Sequence, residues 1–331
     1  MHNVKISALG CYTPPRLLTN KDLEEMVGTT SKWIMDRTGI CRRHIADPEM
    51  ATSDLAIQAA KAALAARDID GRELDAVVTC TVTPDMAFPT TASIVQEALG
   101  ARRSLGFDLS AACCGFVYGL ATAVPMVATG MCRKILVIGA DTMSRIVDYR
   151  DRATCVLFGD GAGAMLLEAA GDNDADAGFI DFVAEMDGSG ASCVSLPAGG
   201  SRLPSCLETL ERRQHYIQLQ GQAVFKYAVQ AFADVTLELL ARNGLRPADL
   251  DLWIPHQANR RILSAAAERA GLRPEQVMIN LEQYGNTTSA TIPLATRDAI
   301  ADGRLRKGDL VMFASVGAGY TAGALLLRWA F

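Results

Sequence analysis

The sequence lacks the features that mark membrane, secreted and nucleic-acid-binding proteins. It contains no run of about 18 apolar residues, so we expect no helix that spans a membrane. Its first residues, MHNVKISALG, contain no charged segment followed by an apolar one, so no signal peptide is predicted. The formal net charge is −5, whereas neutralising phosphates requires a basic surface, so a nucleic-acid partner is not expected.

Cysteine pairs with metal-ligand spacing are also missing. None of the nine cysteines forms a CxxC pair, so the sequence predicts no zinc or other metal site. Most of them lie in apolar runs such as VVTCTV and ATCVLF, which is typical of reduced, buried thiols. We therefore expect a cytoplasmic protein, because thiols stay reduced in that compartment.

What the chain does have is enough apolar material for a full core. Of its 331 residues, 50% are hydrophobic and 21% are charged, a balance that argues against disorder. The length allows one large domain or two of ordinary size.

Two copies of one α/β unit are visible in the chain. Residues 64–78, LAARDIDGRELDAVV, align without a gap with residues 240–254, LARNGLRPADLDLWI, at an offset of 176 positions. The same offset pairs ILVIG at 135–139 with VMFAS at 311–315. Such self-similarity predicts two structurally similar halves.

The predicted halves are residues 1–172 and 173–331, and they divide within the turn-rich stretch GDNDADAG. Apolar strand patterns at 75–82 and 134–140 alternate with helical patterns such as 53–67, which predicts sheets covered on both faces by helices. In a duplicated fold we expect the site where the halves meet, with residues drawn from both.

Two adjacent cysteines stand where a strand pattern runs into a helix pattern, in FDLSAACCGF at 107–116. A thiol at a helix N-terminus faces unpaired N–H groups, which lower its pKa and make it a candidate nucleophile. The alternative is that both cysteines are small core residues. Within the following helix, Pro125 is expected to kink or end the helical run.

Three further motifs offer polar groups after apolar strands. His256 follows LDLWI, in PHQANRR, although a strand-end histidine is often structural. Asn286 lies in GNTTSA, which opens a helix after the strand-like segment VMIN at 277–280, and capping alone would explain it. The glycine-rich turn SVGAGYTAG at 315–323 would suit a phosphate or supply N–H groups to an oxyanion.

The cysteine of AACCGF, the histidine of PHQAN, the asparagine of YGNTTSA and the GAGYTAG turn, in this order and spacing, resemble the β-ketoacyl-acyl-carrier-protein synthase III family. The resemblance covers essentially the whole chain and includes WIMDRTGICRRHIA, FGDGAGAMLLE and GQAVFKYAV. It implies a thiolase-like α/β fold, the five-layered αβαβα arrangement of two duplicated halves, in a homodimer. The internal repeat agrees with this fold.

The resemblance also assigns catalytic roles to individual residues. The family reads Ala-Ala-Cys-x-Gly-Phe, so Cys113 is the implied nucleophile and Cys114 is a packing residue. His256 and Asn286 complete the implied catalytic triad. The implied oxyanion hole consists of the backbone N–H groups of Cys113 and Gly319.

Binding roles follow from the same resemblance. The implied coenzyme A tunnel is lined by Trp33, Arg37, Arg152, Phe225 and Asn259. Arg261 is implied to dock the acidic carrier protein. Phe88, in TPDMAFPTTASIV at 83–95, is implied to cross the dimer interface and to close the partner's acyl pocket. Two departures from the family pattern, Gln222 and Ala322, affect the expected details of substrate fit.

The implied reaction has acyl-CoA and malonyl-acyl-carrier protein as substrates and needs no cofactor. Three alternatives stay open at this point. A degradative thiolase uses a second cysteine near the C-terminal glycine turn, but no cysteine follows Cys206. A synthase-III-like acyltransferase or ketosynthase of secondary metabolism is harder to separate, and a non-catalytic carrier-binding subunit is the third alternative.

Overall fold

The structure, a computed structural model, describes residues 3–171 and 177–331. The predicted division between residues 172 and 173 lies outside these described residues. Within them, no helix is both long enough and apolar enough to cross a membrane. All nine cysteines are free thiols, of which four are buried and two, Cys41 and Cys206, are exposed.

The strands and helices are named in chain order. The strands are β1 (Val4–Tyr12), β2 (Leu17–Thr19), β3 (Arg42–His44), β4 (Ala76–Cys80), β5 (Leu105–Leu109), β6 (Lys134–Thr142), β7 (Asp160–Ala169), β8 (Gly178–Met186), β9 (Val194–Ser195), β10 (Gln218–Leu219), β11 (Leu252–Pro255), β12 (Leu310–Gly317) and β13 (Thr321–Arg328). The helices are α1 (Asn20–Met26), α2 (Ser31–Thr38), α3 (Thr52–Arg67), α4 (Thr91–Ala98), α5 (Gly115–Ala128), α6 (Leu207–Glu211), α7 (Gly221–Arg242), α8 (Arg260–Arg269), α9 (Leu281–Tyr284) and α10 (Thr291–Ala301).

Two main sheets and three helical layers form the fold. The first sheet has the strand order β1-β7-β6-β4-β5 and the second has the order β11-β12-β13-β8. Helices α5 and α10 pack between the sheets, α3 covers the outer face of the first sheet, and α7 and α8 form the outer layer over the second. This is the predicted five-layered αβαβα arrangement.

Helix α3 illustrates how the sequence builds an outer layer. Asp54 accepts a hydrogen bond from the N–H of Ala51 at 2.8 Å and thereby caps the helix start, and the chain leaves the helix at Asp68 with a φ of 56°. The buried face is rich in alanine and packs against β1. A side chain on Gly10 would come within 2.2 Å of the backbone of Ala63, so glycine lets the helix lie directly on the strand.

The predicted offset of 176 positions holds through the centre of the fold. It relates β4 to β11 and β6 to β12, and it relates the 3-10 turn at Ala112–Cys114 to the 3-10 turn at Thr288–Ala290. Each turn leads directly into a central helix, α5 after the first and α10 after the second. The two turns are in contact, so the halves meet where the sequence predicts a site.

One local prediction differs from the structure. The strand-like segment VMIN at 277–280 forms only a single bridge, between Val277 and Trp253. The backbone groups of Met278 and Asn280 instead form hydrogen bonds with the side chain of Gln257. Helix α5 continues past Pro125 and ends at Ala128, so the proline lies in its last turn.

Candidate active site

A cavity of about 550 Å³ lies at the junction of the two halves. Cys113 comes from the first half, and His256 and Asn286 come from the second; all three line the cavity. The volume falls in the range typical of sites for small molecules and cofactors. The structure therefore brings together the three residues that the sequence predicts as a triad.

Cys113 is the middle residue of its 3-10 turn, at the N-terminal end of α5. Residues of the second half hold the turn in place: Ser315 donates its hydroxyl to the carbonyl of Cys113 at 2.7 Å, and Ser289 donates to the carbonyl of Ala112 at 3.3 Å. Cys114 is fully buried, and its thiol contacts the side chains of Thr321 and Ser315 outside the cavity lining. Of the two adjacent cysteines, Cys113 is thus the one open to a substrate in the cavity.

Burial raises the pKa of the Cys113 thiol, and the neighbouring Cys114 and Asp141 add to the rise. Hydrogen bonds from its own backbone N–H and from the Asn286 side chain act in the opposite direction but are outweighed. The prediction that the helix N-terminus gives this thiol a lowered pKa is therefore wrong, because desolvation of the thiolate dominates. The thiol is protonated at neutral pH and must lose its proton as it attacks.

His256 follows the last residue of β11 and is almost completely buried. Its backbone N–H donates to the carbonyl of Ala314 at 2.8 Å, which ties it to β12, and its Nδ1 lies 2.7 Å from the Thr291 hydroxyl. Burial lowers the pKa of His256 to about 3, so the imidazole is neutral at physiological pH. Because Nδ1 is engaged, Nε2 is the ring nitrogen left for a substrate.

Asn286 is positioned by both halves. Its backbone N–H donates to the carbonyl of Leu157 at 2.9 Å, and its carbonyl accepts the N–H of Gly159 at 3.1 Å. Its side-chain Oδ1 accepts the N–H of Thr288, two residues along the chain, at 2.9 Å, whereas the N-cap residue of the 3-10 turn is Thr287 and makes no side-chain capping bond. Since Oδ1 is occupied, Nδ2 is the group that faces the Cys113 thiol.

The two residues of the predicted oxyanion hole, Cys113 and Gly319, differ in their position relative to the cavity. The described residues offer no acceptor for the N–H of Cys113 beyond its own thiol, so this group is free to bind an oxyanion. Gly317, the last residue of β12, and Ala318, the first residue of the turn before β13, line the cavity, whereas Gly319, with a φ of 75°, does not. Gly317 packs directly against the N–H of Cys113, where an added side chain would lie 3.0 Å from it.

Four of the five predicted tunnel residues line the cavity: Trp33, Arg37, Phe225 and Asn259. Arg152 does not line it, but its guanidinium stacks over the Trp33 ring at 4.8 Å from the ring centre. The side chain of Asn259 is already engaged, because Oδ1 caps α8 and Nδ2 donates to the carbonyl of Arg37. The side chain of Asn259 therefore stabilises the start of α8 and its contact with α2.

The last two predicted residues lie outside the cavity lining. Arg261 is exposed, and its guanidinium lies 5.6 Å from the centre of the Phe225 ring, next to the tunnel residues. Phe88 is 84% exposed on its own chain, and it does not contribute to the cavity of that chain.

Sequence reasoning missed Asp141, a buried carboxylate that joins the halves beneath the site. It accepts the N–H groups of Val82 at 2.8 Å and Ser289 at 3.2 Å, and the hydroxyls of Thr81 and Thr83 at 3.0 Å. Burial raises the pKa of Asp141 to about 6 despite these donors. Its position directly after the apolar run 134–140 was a usable signal.

Comparisons with known proteins agree with this geometry. Residues 107–188 match the sequence profile described as 3-Oxoacyl-[acyl-carrier-protein (ACP)] synthase III, and residues 240–329 match the profile of its C-terminal part. A β-ketoacyl-[acyl-carrier-protein] synthase III from Solibacter usitatus (strain Ellin6076) is 62% identical over 331 residues, which is 100% of both chains. One from Koribacter versatilis (strain Ellin345) is 50% identical over 331 residues, 100% of this chain and 99% of the relative.

Solved structures give the same result. The crystal structure of 3-oxoacyl-[acyl-carrier-protein] synthase III from Aquifex aeolicus VF5 superimposes with a TM-score of 0.91 at 40% identity, covering 98% of this chain and 100% of that chain. Two duplicated α/β halves that meet at a cysteine, a histidine and an asparagine define a thiolase-like condensing enzyme. The chain belongs to the β-ketoacyl-[acyl-carrier-protein] synthase III family, and the predicted family, fold class and acyltransferase class are confirmed.

Proposed function

We propose that this enzyme transfers the acyl group of an acyl-CoA to Cys113 and condenses it with malonyl-acyl-carrier protein, with loss of carbon dioxide. The product is a 3-ketoacyl-acyl-carrier protein, the first condensation product of fatty acid synthesis. One observation carries the proposal: Cys113 of one half lines the same cavity as His256 and Asn286 of the other.

In the first half-reaction, the Cys113 sulfur attacks the thioester carbonyl and the sulfur–carbon bond to coenzyme A breaks. The proton that the Cys113 thiol loses is balanced by the proton that the departing coenzyme A thiolate gains. The tetrahedral oxyanion needs preorganised donors, and one such donor contributes roughly 10²–10³ in rate. We assign these donors to the N–H of Cys113 and, in place of Gly319, to that of Ala318, which lines the cavity.

In the second half-reaction, the carbon–carbon bond to the malonyl carboxylate breaks, and its electron pair moves onto the thioester oxygen as an enolate. His256 and Asn286 are the proposed donors to that oxygen. Nδ1 of His256 lies 2.7 Å from the Thr291 hydroxyl, whose oxygen is also 3.0 Å from the carbonyl of Thr288. We assign the tautomer in which this hydroxyl donates to Nδ1, so that the neutral imidazole carries its proton on Nε2 and donates from there. Asn286 donates through Nδ2, because Thr288 already occupies its Oδ1.

The enolate carbon then attacks the acyl group on Cys113, a new carbon–carbon bond forms, and the Cys113 thiolate leaves and takes up one proton from solvent water. The departing carboxylate supplies the electron pair for the new bond, so no step requires a metal or prosthetic group. Asparagine has no basic site, which suits decarboxylation better than proton abstraction.

The cavity mouth suits a coenzyme A thioester. Trp33 and Phe225 provide aromatic surface, and the guanidinium groups of Arg37 and Arg152 lie within 6 Å of the Trp33 ring centre, at 5.9 Å and 4.8 Å. Guanidinium groups bind phosphate oxygens in a planar, bidentate manner. We assign Asn259 to the tunnel wall, and Arg261, exposed beside it, to the docking of the acidic carrier protein.

We also propose that the enzyme is a cytoplasmic homodimer. Strand β5 is an edge strand of the first sheet, and its Leu105 is 43% exposed, which favours pairing with a second copy. The exposed ring of Phe88 would then enter the partner's acyl pocket. The nine free thiols support a reducing compartment.

Radiolabelled acetyl-CoA tests the proposal. We expect an acid-stable acyl-enzyme, and addition of malonyl-acyl-carrier protein should release carbon dioxide and move the label into a 3-ketoacyl product. Absence of an acyl-enzyme would favour a non-catalytic carrier-binding subunit. An acyl-enzyme whose label moves only to oxygen or nitrogen acceptors would favour the acyltransferases of secondary metabolism.

A further inference from the structure

The turn that carries Ala318 is held by a pair of stacked tyrosines. Tyr227 on α7 and Tyr320 at the end of the turn both line the cavity. Their rings lie 3.9 Å apart, centre to centre, at an interplanar angle of 10°. The two residues are 93 positions apart in the chain, so this contact links the outer helix to the turn.

A hydrogen bond fixes the backbone of the turn at the same place. Tyr227 donates its hydroxyl to the carbonyl of Tyr320 at 2.7 Å, and the N–H of Asp187 donates to the same carbonyl at 3.0 Å. Tyr320 itself has a left-handed backbone, with a φ of 50°, which is uncommon for an aromatic residue. An uncommon conformation of this kind persists only where the surroundings enforce it.

The ring of Tyr320 is also confined by the neighbouring loop. A side chain at Gly190 would come within 2.0 Å of the ring, so the loop backbone packs directly on it. The Tyr320 hydroxyl contacts the Cys193 sulfur at 3.3 Å. With its ring and its carbonyl both held, Tyr320 leaves the turn little freedom to move.

We propose that Tyr227 is a positioning residue: through its hydrogen bond to Tyr320, it holds the Ala318 N–H where the oxyanion develops. This inference rests on the proposed function. It adds the contact that keeps the second oxyanion donor, the N–H of Ala318, at the correct distance from Cys113. Burial raises the pKa of Tyr227, so its hydroxyl stays protonated and remains a donor. Oxyanion donors act only within about 2.7–3.1 Å of the developing charge, so a small shift of the turn reduces the rate.

The Tyr227→Phe variant tests this, because it keeps the stacked ring and the cavity wall and removes only the hydroxyl. The matched control is Tyr118→Phe. Tyr118 donates its hydroxyl to the carbonyl of Glu185 on β8 and, at 3.2 Å, to that of Ala322 on β13, but it does not line the cavity. Two rates are measured on each protein: acylation by acetyl-CoA and alkylation of Cys113 by iodoacetamide, a displacement that forms no oxyanion.

We expect Tyr227→Phe to be acylated roughly 10-fold more slowly than the parent, since a donor is displaced rather than lost, with its alkylation rate unchanged. Tyr118→Phe should match the parent in both rates. Parent-like acylation of Tyr227→Phe would overturn the inference. So would an equal fall in both its rates, which would mean general damage at Cys113, or an equal loss of acylation in Tyr118→Phe. A parent protein that is not acylated at all would overturn the proposed function together with this inference.

Discussion

Ala112 and Thr288 lie 176 positions apart, and both adopt a left-handed backbone conformation, with φ values of 48° and 53°. Each is the first residue of a 3-10 turn that opens a central helix, and both line the cavity. For non-glycine residues this conformation costs about 1–3 kcal/mol, so the fold holds strain at both turns. In the proposed mechanism the two turns act in different steps: the first carries the proposed nucleophile, and the second lies beside the groups that would stabilise the enolate.

Because the two turns would act in different steps, a substitution near the second turn should slow decarboxylation more than acylation. His256→Ala removes a proposed donor to the enolate and leaves Cys113 and its turn in place. We expect the variant to be acylated by acetyl-CoA, at a reduced rate, and to release carbon dioxide from malonyl-acyl-carrier protein roughly 10²–10³-fold more slowly. Trapping labelled carbon dioxide measures the second step.

The control is His44→Gln, because His44 lies outside the cavity lining and contacts the carbonyl of Pro14. It should retain carbon dioxide release. Normal decarboxylation by His256→Ala would refute the assignment, and loss of acylation alone would identify His256 as the activator of the thiol.

The exposed ring of Phe88 predicts the length of the acyl primer. One buried methylene contributes about 0.8 kcal/mol, so affinity rises with chain length until the chain meets the partner's ring, where overpacking costs roughly 1–3 kcal/mol. We expect the parent to prefer acetyl to about butyryl primers and Phe88→Thr to prefer longer ones. The measurement is kcat/KM for acyl-CoAs from acetyl to dodecanoyl.

Met86→Thr is the matched control, since Met86 is an exposed apolar residue of the same segment, at 46% exposure. It should keep the parent's preference. A parent that prefers dodecanoyl-CoA, or a Phe88→Thr variant with the parent's profile, would show that Phe88 does not limit chain length.

Burial of His256 predicts how stability depends on pH. The folded pKa is about 3 and the ordinary value is 6.5, so between these values the unfolded chain binds a proton that the folded protein does not. The free energy of unfolding should therefore fall as the pH is lowered through this window, by up to about 1.4 kcal/mol per pH unit. Asp141, with a pKa raised from 3.8 to about 6, acts in the opposite direction.

A comparison of the parent with His256→Asn isolates the histidine, because Asp141 is present in both. Urea unfolding at several pH values between 7 and 4.5 is the measurement. We expect the variant to lose less stability than the parent as the pH falls. Parallel curves would show that His256 is protonated equally in the folded and unfolded states.

Residues that belong to a recognisable motif could be predicted from the sequence. Properties that depend on how the two halves pack around the cavity could not. Cys113, His256 and Asn286 follow strand patterns at positions that the repeat places at the junction of the halves, so their convergence was predictable. The raised pKa of Cys113 was not, because it depends on burial by both halves.

Turn geometry set a second limit. Nothing in GAGYTAG distinguishes the N–H of Gly319 from that of Ala318, since the direction of each group depends on dihedral angles within the hairpin. The stack of Tyr227 on Tyr320 was likewise invisible, because its partners come from different elements. Segment 277–280 has a strand-like composition, but the carbonyl of Met278 and the N–H of Asn280 form hydrogen bonds with the side chain of Gln257 and not with a neighbouring strand.

The central claim is that Cys113, and not the adjacent Cys114, carries the acyl group that condensation consumes. Cys113 lines the cavity, whereas Cys114 is fully buried outside its lining. The direct measurement is peptide mass mapping after acetyl-CoA treatment, before and after a chase with malonyl-acyl-carrier protein, on the parent, Cys113→Ala and Cys114→Ala. We predict an acetyl group on Cys113 that the chase removes, in the parent and in Cys114→Ala, and none in Cys113→Ala. An acetyl group on Cys114, or condensation by Cys113→Ala, would contradict the account.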